Sequence, residues 1–261
     1  MHETTSLADD YLLKNSIKIV VADIDYTLID FARAHKAAIK GLEEKLGSPF
    51  SERVNAIFNL INEEHQHKQS ESWERKADFD EVIEKIKELE KSSVVKYGVK
   101  RWSRESWIII ASQEQGLLLD QHEVENLRDT YWSNHSKNAS LYSDADSFVK
   151  ELTSKNIPLI LMTSGDSIMK VQPNLTLIYE PNFSKTYKQQ KRIDLLPFQY
   201  HSVVIGDPID KPDLKFFDLI FDQFSKLGKF GKKEILFVGD SPKSDLKVPE
   251  ELGYSTLLIK R

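Results

Sequence analysis

Ile17-Lys18-Ile19-Val20-Val21-Ala22-Asp23-Ile24-Asp25-Tyr26-Thr27 is an apolar run that ends in two carboxylates and a threonine. Aspartate is depleted in strands and costly to bury, so a pair at the end of a buried strand needs a reason. A carboxylate at the C-terminal tip of a central parallel strand faces the crevice where open α/β sheets bind ligands. In that place Asp23 suits covalent attack or metal ligation. Asp25, two residues on and in the turn, suits proton transfer.

Four similar runs lie downstream, at 157–163, 201–207, 234–240 and 255–259. Their apolar residues run on without alternation, the pattern of strands buried on both faces. Helical patterns fall between them. Residues 144–155 place Phe148 and Leu152 four apart behind Asp144, a candidate cap. Residues 213–227 set Phe216, Phe217, Ile220, Phe221 and Phe224 on one stripe. Strands alternating with helices predict an α/β fold with parallel pairing and right-handed crossovers. Residues 31–140 differ: they are charge-rich, with helical periodicity over 34–46, 80–91 and 123–132 and no convincing strand. The first of these helices is expected to end near Gly47-Ser48-Pro49. The domain reading is therefore an α/β core from 1–30 and 141–261, interrupted by an all-helical domain, 31–140.

Composition bounds the function. The 261 residues carry a net charge of −5, which gives no support for nucleic-acid or anionic-membrane partners. No cysteine is present, so disulfides, thiolate catalysis and cysteine-ligated zinc are excluded. No apolar run approaches the ~20 residues of a membrane-spanning helix, and 1–16 lack the apolar centre of a secretory signal. A cytoplasmic protein, monomer or homodimer, is expected.

The strand ends carry the chemistry. Asp23 and Asp25 follow the first, Thr163-Ser164 the second, Asp210-Lys211-Pro212-Asp213 the third and Gly239-Asp240-Ser241-Pro242-Lys243-Ser244-Asp245 the fourth. In a parallel sheet these ends share one edge and converge. Carboxylates in this number suit a hard cation such as Mg²⁺. An ammonium, hydroxyls and N–H donors suit a phosphate. Singly, each residue has a plainer reading: a strand-end Asp caps a helix, Lys211 is a solvated turn lysine, Pro212 a helix start. Together they describe a Mg²⁺-dependent phosphoryl-transfer site.

The ordered set resembles the haloacid dehalogenase (HAD) superfamily, in the branch with a helical cap inserted after the first strand. Asp23, Asp25 and Thr27 meet its D-x-D-x-T pattern, and 159–164 its apolar run before Thr/Ser. Lys211-Pro212-Asp213 and 239–245 meet the third and fourth motifs. The resemblance implies a Rossmann-like doubly wound core and assigns roles. Asp23 would attack phosphorus to form an aspartyl-phosphate. Asp25 would protonate the leaving oxygen and then deprotonate water. Thr163 and the Ser164 N–H would hold the phosphoryl, and Lys211 would offset its charge. Mg²⁺ would be held by Asp23, the Asp25 backbone carbonyl and Asp240, with Asp245 supporting it directly or through water. The substrate would be a small phosphorylated metabolite. A phosphomutase or other phosphotransferase, or a non-catalytic binding protein on the same scaffold, are the alternatives.

Three departures stand out. Tyr26 occupies a position that is often Gly in this family. Between Thr163 and Lys211 lie 47 residues, including a basic stretch at 187–192, and Pro173 should cut short the helix expected after Thr163. Pro249 should interrupt a helix after Asp245 unless that helix starts there. For substrate selection, Arg33, His35 and Lys36 are the first candidates in the cap, then the Arg101–Trp107 cluster and the 182–192 insertion. The plainer expectation is that the aromatics pack the helical core and the Arg and Lys cover solvent faces. His65 and His67 are two apart and do not share a helix face, so a zinc pair is not expected.

Overall fold

The computed structural model describes residues 12, 16–67, 77–165, 167–181, 193 and 196–261. Trp73, the His67 side chain and the basic stretch 187–192 lie outside the described residues. In chain order the elements are β1 (Ile19–Asp23), α1 (Phe31–Leu46), α2 (Ser48–His67), α3 (Ala77–Leu89), α4 (Val94–Tyr97), α5 (Arg104–Glu114) and α6 (Gln121–Asn138). They continue with α7 (Ser143–Ser154), β2 (Leu159–Ser164), β3 (Met169–Val171), β4 (Leu177–Tyr179), β5 (Ser202–Gly206), α8 (Leu214–Ser225), β6 (Ile235–Gly239), α9 (Lys247–Glu251) and β7 (Ser255–Leu258). The chain divides into two compact units: Met1–Phe31 with Ala139–Ser164 and Leu195–Arg261, and Ala32–Asn138 with Gly165–Asp194. Residues 165–194, expected in the α/β core, therefore group with the helical unit. No helix among the described residues is long and apolar enough to cross a membrane.

The first unit is a five-stranded sheet in the order β5-β2-β1-β6-β7, parallel throughout. Each strand matches one of the five apolar runs, with β2 reaching one residue past its run, to Ser164. Phe216, Phe217, Ile220 and Phe224 of α8 pack on Ile19, Val21, Ile160, Met162, Ile235 and Phe237. Burying each such side chain contributes roughly 1.5–3 kcal/mol. The alternate residues Val20, Ala22, Leu161 and Leu236 are equally buried, which is why the runs do not alternate. The chain builds outward from β1 through β2 to β5, then returns to β6 on the other side of β1. The carboxyl ends of β1 and β6 flank this switch point, the place where such sheets bind ligands. One local expectation is corrected: Tyr142, not Asp144, stands at the cap position of α7, and Asp144 pairs with Arg261 instead. After Asp245 a helix starts around Pro249, the alternative the proline allows: a wide turn, Pro242–Leu246, leads into α9, where Pro249 is buried in the first turn.

The second unit is helical, with one β-hairpin added from the later segment. Gly47 has φ +84°, a conformation that ends α1 and favours glycine. Ser48 and Pro49 then open α2 rather than a loop. α5 lies at the centre: Arg104 through Ser112 are all buried. A helix buried on every side has no amphipathic period, so its sequence carries no helical stripe. Among the described residues, no helix lies between β2 and β3, where one is expected after Thr163. β3 and β4 pair antiparallel there, around a turn at Pro173 and Leu175, whose φ is +60°. The open end of this hairpin is fastened to the helices: Met169 N–H donates to Glu105 (3.2 Å) and Tyr179 N–H to the Ser93 hydroxyl (3.5 Å).

Aromatic packing of this unit is as expected, but two arginines are not on solvent faces. The Arg104 guanidinium is 2 % exposed and lies 4.3 Å from the Trp107 ring centre, 4.9 Å from Tyr131 and 4.6 Å from Trp132. Arg128 is buried against Glu105 at 3.3 Å. His35 is likewise a core residue, not a surface one. It hydrogen-bonds Tyr131 Oη (2.7 Å) and Asn55 Oδ1 (3.0 Å), and burial with the nearby Arg104 charge lowers its pKa to about 4.

Glu90 is fully buried in the same unit, accepting from Lys100 N–H (2.8 Å) and the Ser106 hydroxyl (3.4 Å). Burial raises its pKa to about 7. A raised folded-state pKa contributes stability at low pH that is lost as pH rises through about 7. Glu90→Gln is neutral at every pH. Its one oxygen can still accept from Lys100 N–H, while its NH2 can donate to the Ser106 hydroxyl oxygen. It is therefore expected to raise Tm by about 2–4 °C at pH 8. At pH 4 it should leave Tm unchanged. A lower Tm at pH 8 in thermal melts would refute this.

Candidate active site

β1 delivers Asp23 to the sheet edge, paired in register with Met162 of β2 and 5 % exposed. The chain then turns tightly: Leu28 and Ile29 N–H both donate to the Ile24 carbonyl (2.9 Å each), and Tyr26 N–H to Ile29 (3.0 Å). Tyr26 has φ +62°, the left-handed conformation that explains why glycine is common there. This turn holds the Asp25 carboxylate half-buried and carries Thr27 back over β1. The buried Thr27 hydroxyl is shared between Asp23 Oδ2 (3.1 Å) and Asp240 Oδ1 (3.4 Å). Thr27 thus ties the first and fourth motifs together, a role its place in the D-x-D-x-T pattern did not reveal.

Asp240 follows β6, across the switch point from Asp23. Asp245 is brought back to the same strand end by the wide turn: its N–H donates to the Ser241 carbonyl (2.9 Å), and its Oδ2 accepts from Ser241 N–H (3.0 Å). Gly239 is needed for this approach. A Cβ there would lie 2.5 Å from Asp245 Cβ and 2.7 Å from its Cγ. Lys211 arrives from the loop after β5. Its ammonium, 4 % exposed, bridges Asp23 Oδ1 (2.6 Å) and Asp245 Oδ1 (2.7 Å). Asp210 accepts from Lys211 N–H (2.7 Å) and fills the space that a side chain at Gly206 would occupy. Asp213 caps α8, accepting from Lys215 N–H at 2.9 Å. Thr163 and Ser164 end β2 beside Ile205 and Gly206. Thr163 is buried, its hydroxyl donating to the Ser164 carbonyl (3.2 Å), and Ser164 is exposed.

Among the described residues, Asp23, Asp240 and Asp245 place carboxylate oxygens within 4.8 Å of one another. The Asp25 carboxylate is not in this set. Three carboxylates against one ammonium leave two negative charges uncompensated. The cost of that is visible in the acids. Burial raises the Asp23 pKa well above the usual carboxylate value, against the opposing pull of Lys211. Burial, with repulsion from Asp245, raises Asp240 to about 6. For Lys211, burial alone would lower the pKa, but the Asp23 and Asp245 charges outweigh it and hold it far above normal. A buried set of oxygen donors with a charge deficit of two fits a hard divalent cation.

The sequence of residues 17–253 matches the haloacid dehalogenase-like hydrolase family. No curated protein matches the chain. Among solved structures it is similar to magnesium-bound HAD hydrolase YfnB of Bacillus subtilis. The TM-score is 0.56 at 17 % identity, over 93 % of this chain and 86 % of that one. It is also similar to L-2-haloacid dehalogenase of Xanthobacter autotrophicus (TM-score 0.52, 15 % identity, 94 % and 78 % covered). A 2-haloacid dehalogenase of Pseudomonas syringae pv. Tomato DC3000 gives 0.50 at 18 % identity, covering 93 % and 86 %. At such identities these structures bear on the fold alone, and the fold they share is the one described above. With its family match over most of its length and all four motifs at one sheet edge, the chain belongs to the haloacid dehalogenase-like hydrolase family.

Proposed function

We propose that this hydrolase is a Mg²⁺-dependent phosphatase acting on a small phosphorylated metabolite through an aspartyl-phosphate. The observation that carries this reading is the buried Asp23–Asp240–Asp245 set bridged by Lys211. Asp23 attacks phosphorus; the Asp23 Oδ–P bond forms as the P–O bond to the alcohol breaks. Asp25 gives its proton to that leaving oxygen. It then takes a proton from the water that attacks the aspartyl-phosphate, and Asp23 is released with inorganic phosphate. Lys211, already fixed on Asp23, lowers the repulsion between a carboxylate and a phosphate dianion. Thr163 and the Ser164 N–H hold the phosphoryl oxygens. Asp23, Asp240 and the Asp25 backbone carbonyl would hold Mg²⁺. Asp245, both of whose oxygens already accept hydrogen bonds, would orient Lys211 and reach the metal through water. Bound there, Mg²⁺ supplies charge stabilisation for the phosphoryl oxygens.

Haloacid dehalogenation is the competing chemistry on this fold. A halide leaves as an anion and needs no proton, so that reaction has no use for Asp25 as an acid. The purified protein is expected to hydrolyse a generic aryl phosphate with Mg²⁺, to lose that activity in excess chelator, and to leave 2-haloacids untouched. Full phosphatase activity in chelator would sink the metal assignment, and turnover of 2-haloacids alone would sink the reaction class.

A further inference from the structure

Arg261, which follows β7, converges on the first motif from the far end of the chain. Its Nε donates to the Tyr26 carbonyl (3.3 Å) and its Nη2 to the Thr27 carbonyl (2.5 Å). Nη1 lies 2.8 Å from both oxygens of Asp144, near the start of α7. The guanidinium carbon stacks 3.8 Å from the Tyr142 ring centre. The same segment of chain is held on another side by backbone pairing. Tyr142 N–H donates to the Leu28 carbonyl (3.0 Å), Asp30 N–H to the Ser140 carbonyl (2.9 Å), and Ile29 bridges Leu141.

What this grip holds is a strained turn. Tyr26 has a left-handed backbone, at φ +62°, that a side chain disfavours. The Tyr26 ring packs against Phe31 (ring centres 5.2 Å apart), while its backbone holds a conformation that glycine would adopt freely. The turn carries Asp25, and it displays at the site the Thr27 hydroxyl that touches Asp23 and Asp240. The two carbonyls that receive Arg261 belong to Tyr26 and Thr27, the strained residue and the one that spans the carboxylates. A planar guanidinium can meet two carbonyls and a carboxylate at once, whereas an ammonium cannot match that fork.

We infer that Arg261 is a positioning residue: it holds the Tyr26–Thr27 turn, and through it sets Asp25 and Thr27 against Asp23. This rests on the phosphatase reading above only for its kinetic consequence; the geometric claim stands apart from it. Arg261→Ala is expected to lower kcat for an aryl phosphate by about 10- to 100-fold with KM little changed. Arg261→Lys should fall between Ala and wild type. Tyr26→Gly alone should change kcat little, but in the Arg261→Ala background it should recover about fivefold, because glycine removes the strain that Arg261 offsets. Amide exchange read by mass spectrometry supplies an arm independent of turnover. Peptides covering 26–29 should exchange about tenfold faster in Arg261→Ala, while those of β1, β2 and β6 stay protected. A kcat within twofold of wild type in Arg261→Ala would overturn the inference, as would simple additivity with Tyr26→Gly or unchanged exchange over 26–29. If wild type hydrolyses no phosphate, the functional reading fails while the exchange result still decides the role of Arg261.

Discussion

Asp23→Asn is expected to abolish turnover while the fold stays intact and the metal-free protein becomes no less stable. An amide cannot attack phosphorus, and loss of a nucleophile costs on the order of 10⁴-fold or more. The stability side follows from the sign of the Asp23 shift. Its folded-state pKa is raised, chiefly by burial, so folding favours the neutral form. A group raised in this way contributes stability below its unfolded pKa, near 3.8, that is lost as pH climbs through the folded value. At neutral pH without metal, the ionised wild-type acid is the costly state. Asparagine has the shape of the neutral acid, keeps an oxygen for Lys211, and leaves that lysine its bond to Asp245. The expected result is a dead enzyme whose metal-free Tm at pH 7 equals or exceeds that of wild type, and whose stabilisation by added Mg²⁺ is weakened. More than a hundredth of wild-type kcat would remove Asp23 from the role of nucleophile. A Tm several degrees lower would mean that the Asp23–Lys211 pair contributes more than burial costs.

Much of this site was legible because its residues sit where secondary structure stops. Asp23, Thr163 and Asp240 each close an apolar run, and parallel strands bring such ends to one edge whatever the intervening sequence. The structure gathers Asp23, Lys211, Asp240 and Asp245 within direct reach. Thr27 was visible as part of a pattern but not as a bridge between two carboxylates, since that depends on the turn at Tyr26. Arg261 could not be found from sequence. It lies 235 residues from Tyr26, and a lone arginine after a strand carries no local pattern.

The fold divided along the same line between local and non-local information. The central strands β1, β2 and β6 are short, almost wholly buried and largely apolar, so each announces itself. β5 and β7, at the sheet edges, are only partly buried but keep enough apolar residues to read as runs. α8, with one apolar stripe, does too. α5 failed for the opposite reason: burial on all sides erases the stripe, and its buried Arg104 and Glu105 look like surface residues in sequence. Three-residue strands such as β3 and β4 are below what any period can mark. Their place in the helical unit is decided by hydrogen bonds that their N–H groups donate to Glu105 and Ser93, 64 and 86 residues away in sequence. His35 misled because it follows the first motif closely. Along α1 it turns inward to Tyr131 and Asn55, so its replacement would unsettle the helical core rather than report on substrate choice.

Asp25→Asn separates the two halves of the proposed reaction. The side chain is nearly isosteric and Asp25 pairs with Ile29 through the backbone, so the turn and Tm should be preserved. In the first half-reaction Asp25 serves as an acid. An alkyl alcohol is a poor leaving group without a proton, so release of alcohol from an alkyl phosphate should slow by roughly 10²–10⁴-fold. A nitrophenolate leaves readily as an anion, so its release should be far less affected. In the second half-reaction Asp25 serves as a base, and water must attack the same aspartyl-phosphate whichever alcohol has gone. The variant should therefore show a burst of about one aryl alcohol per active site, followed by slow steady turnover. With an alkyl phosphate no burst should appear, because the first step has become slow as well. Rapid-mixing measurement of alcohol release decides between the outcomes. Equal slowing of the first turnover for both esters would exclude Asp25 as the acid. A steady state with no burst on the aryl ester would exclude it as the base.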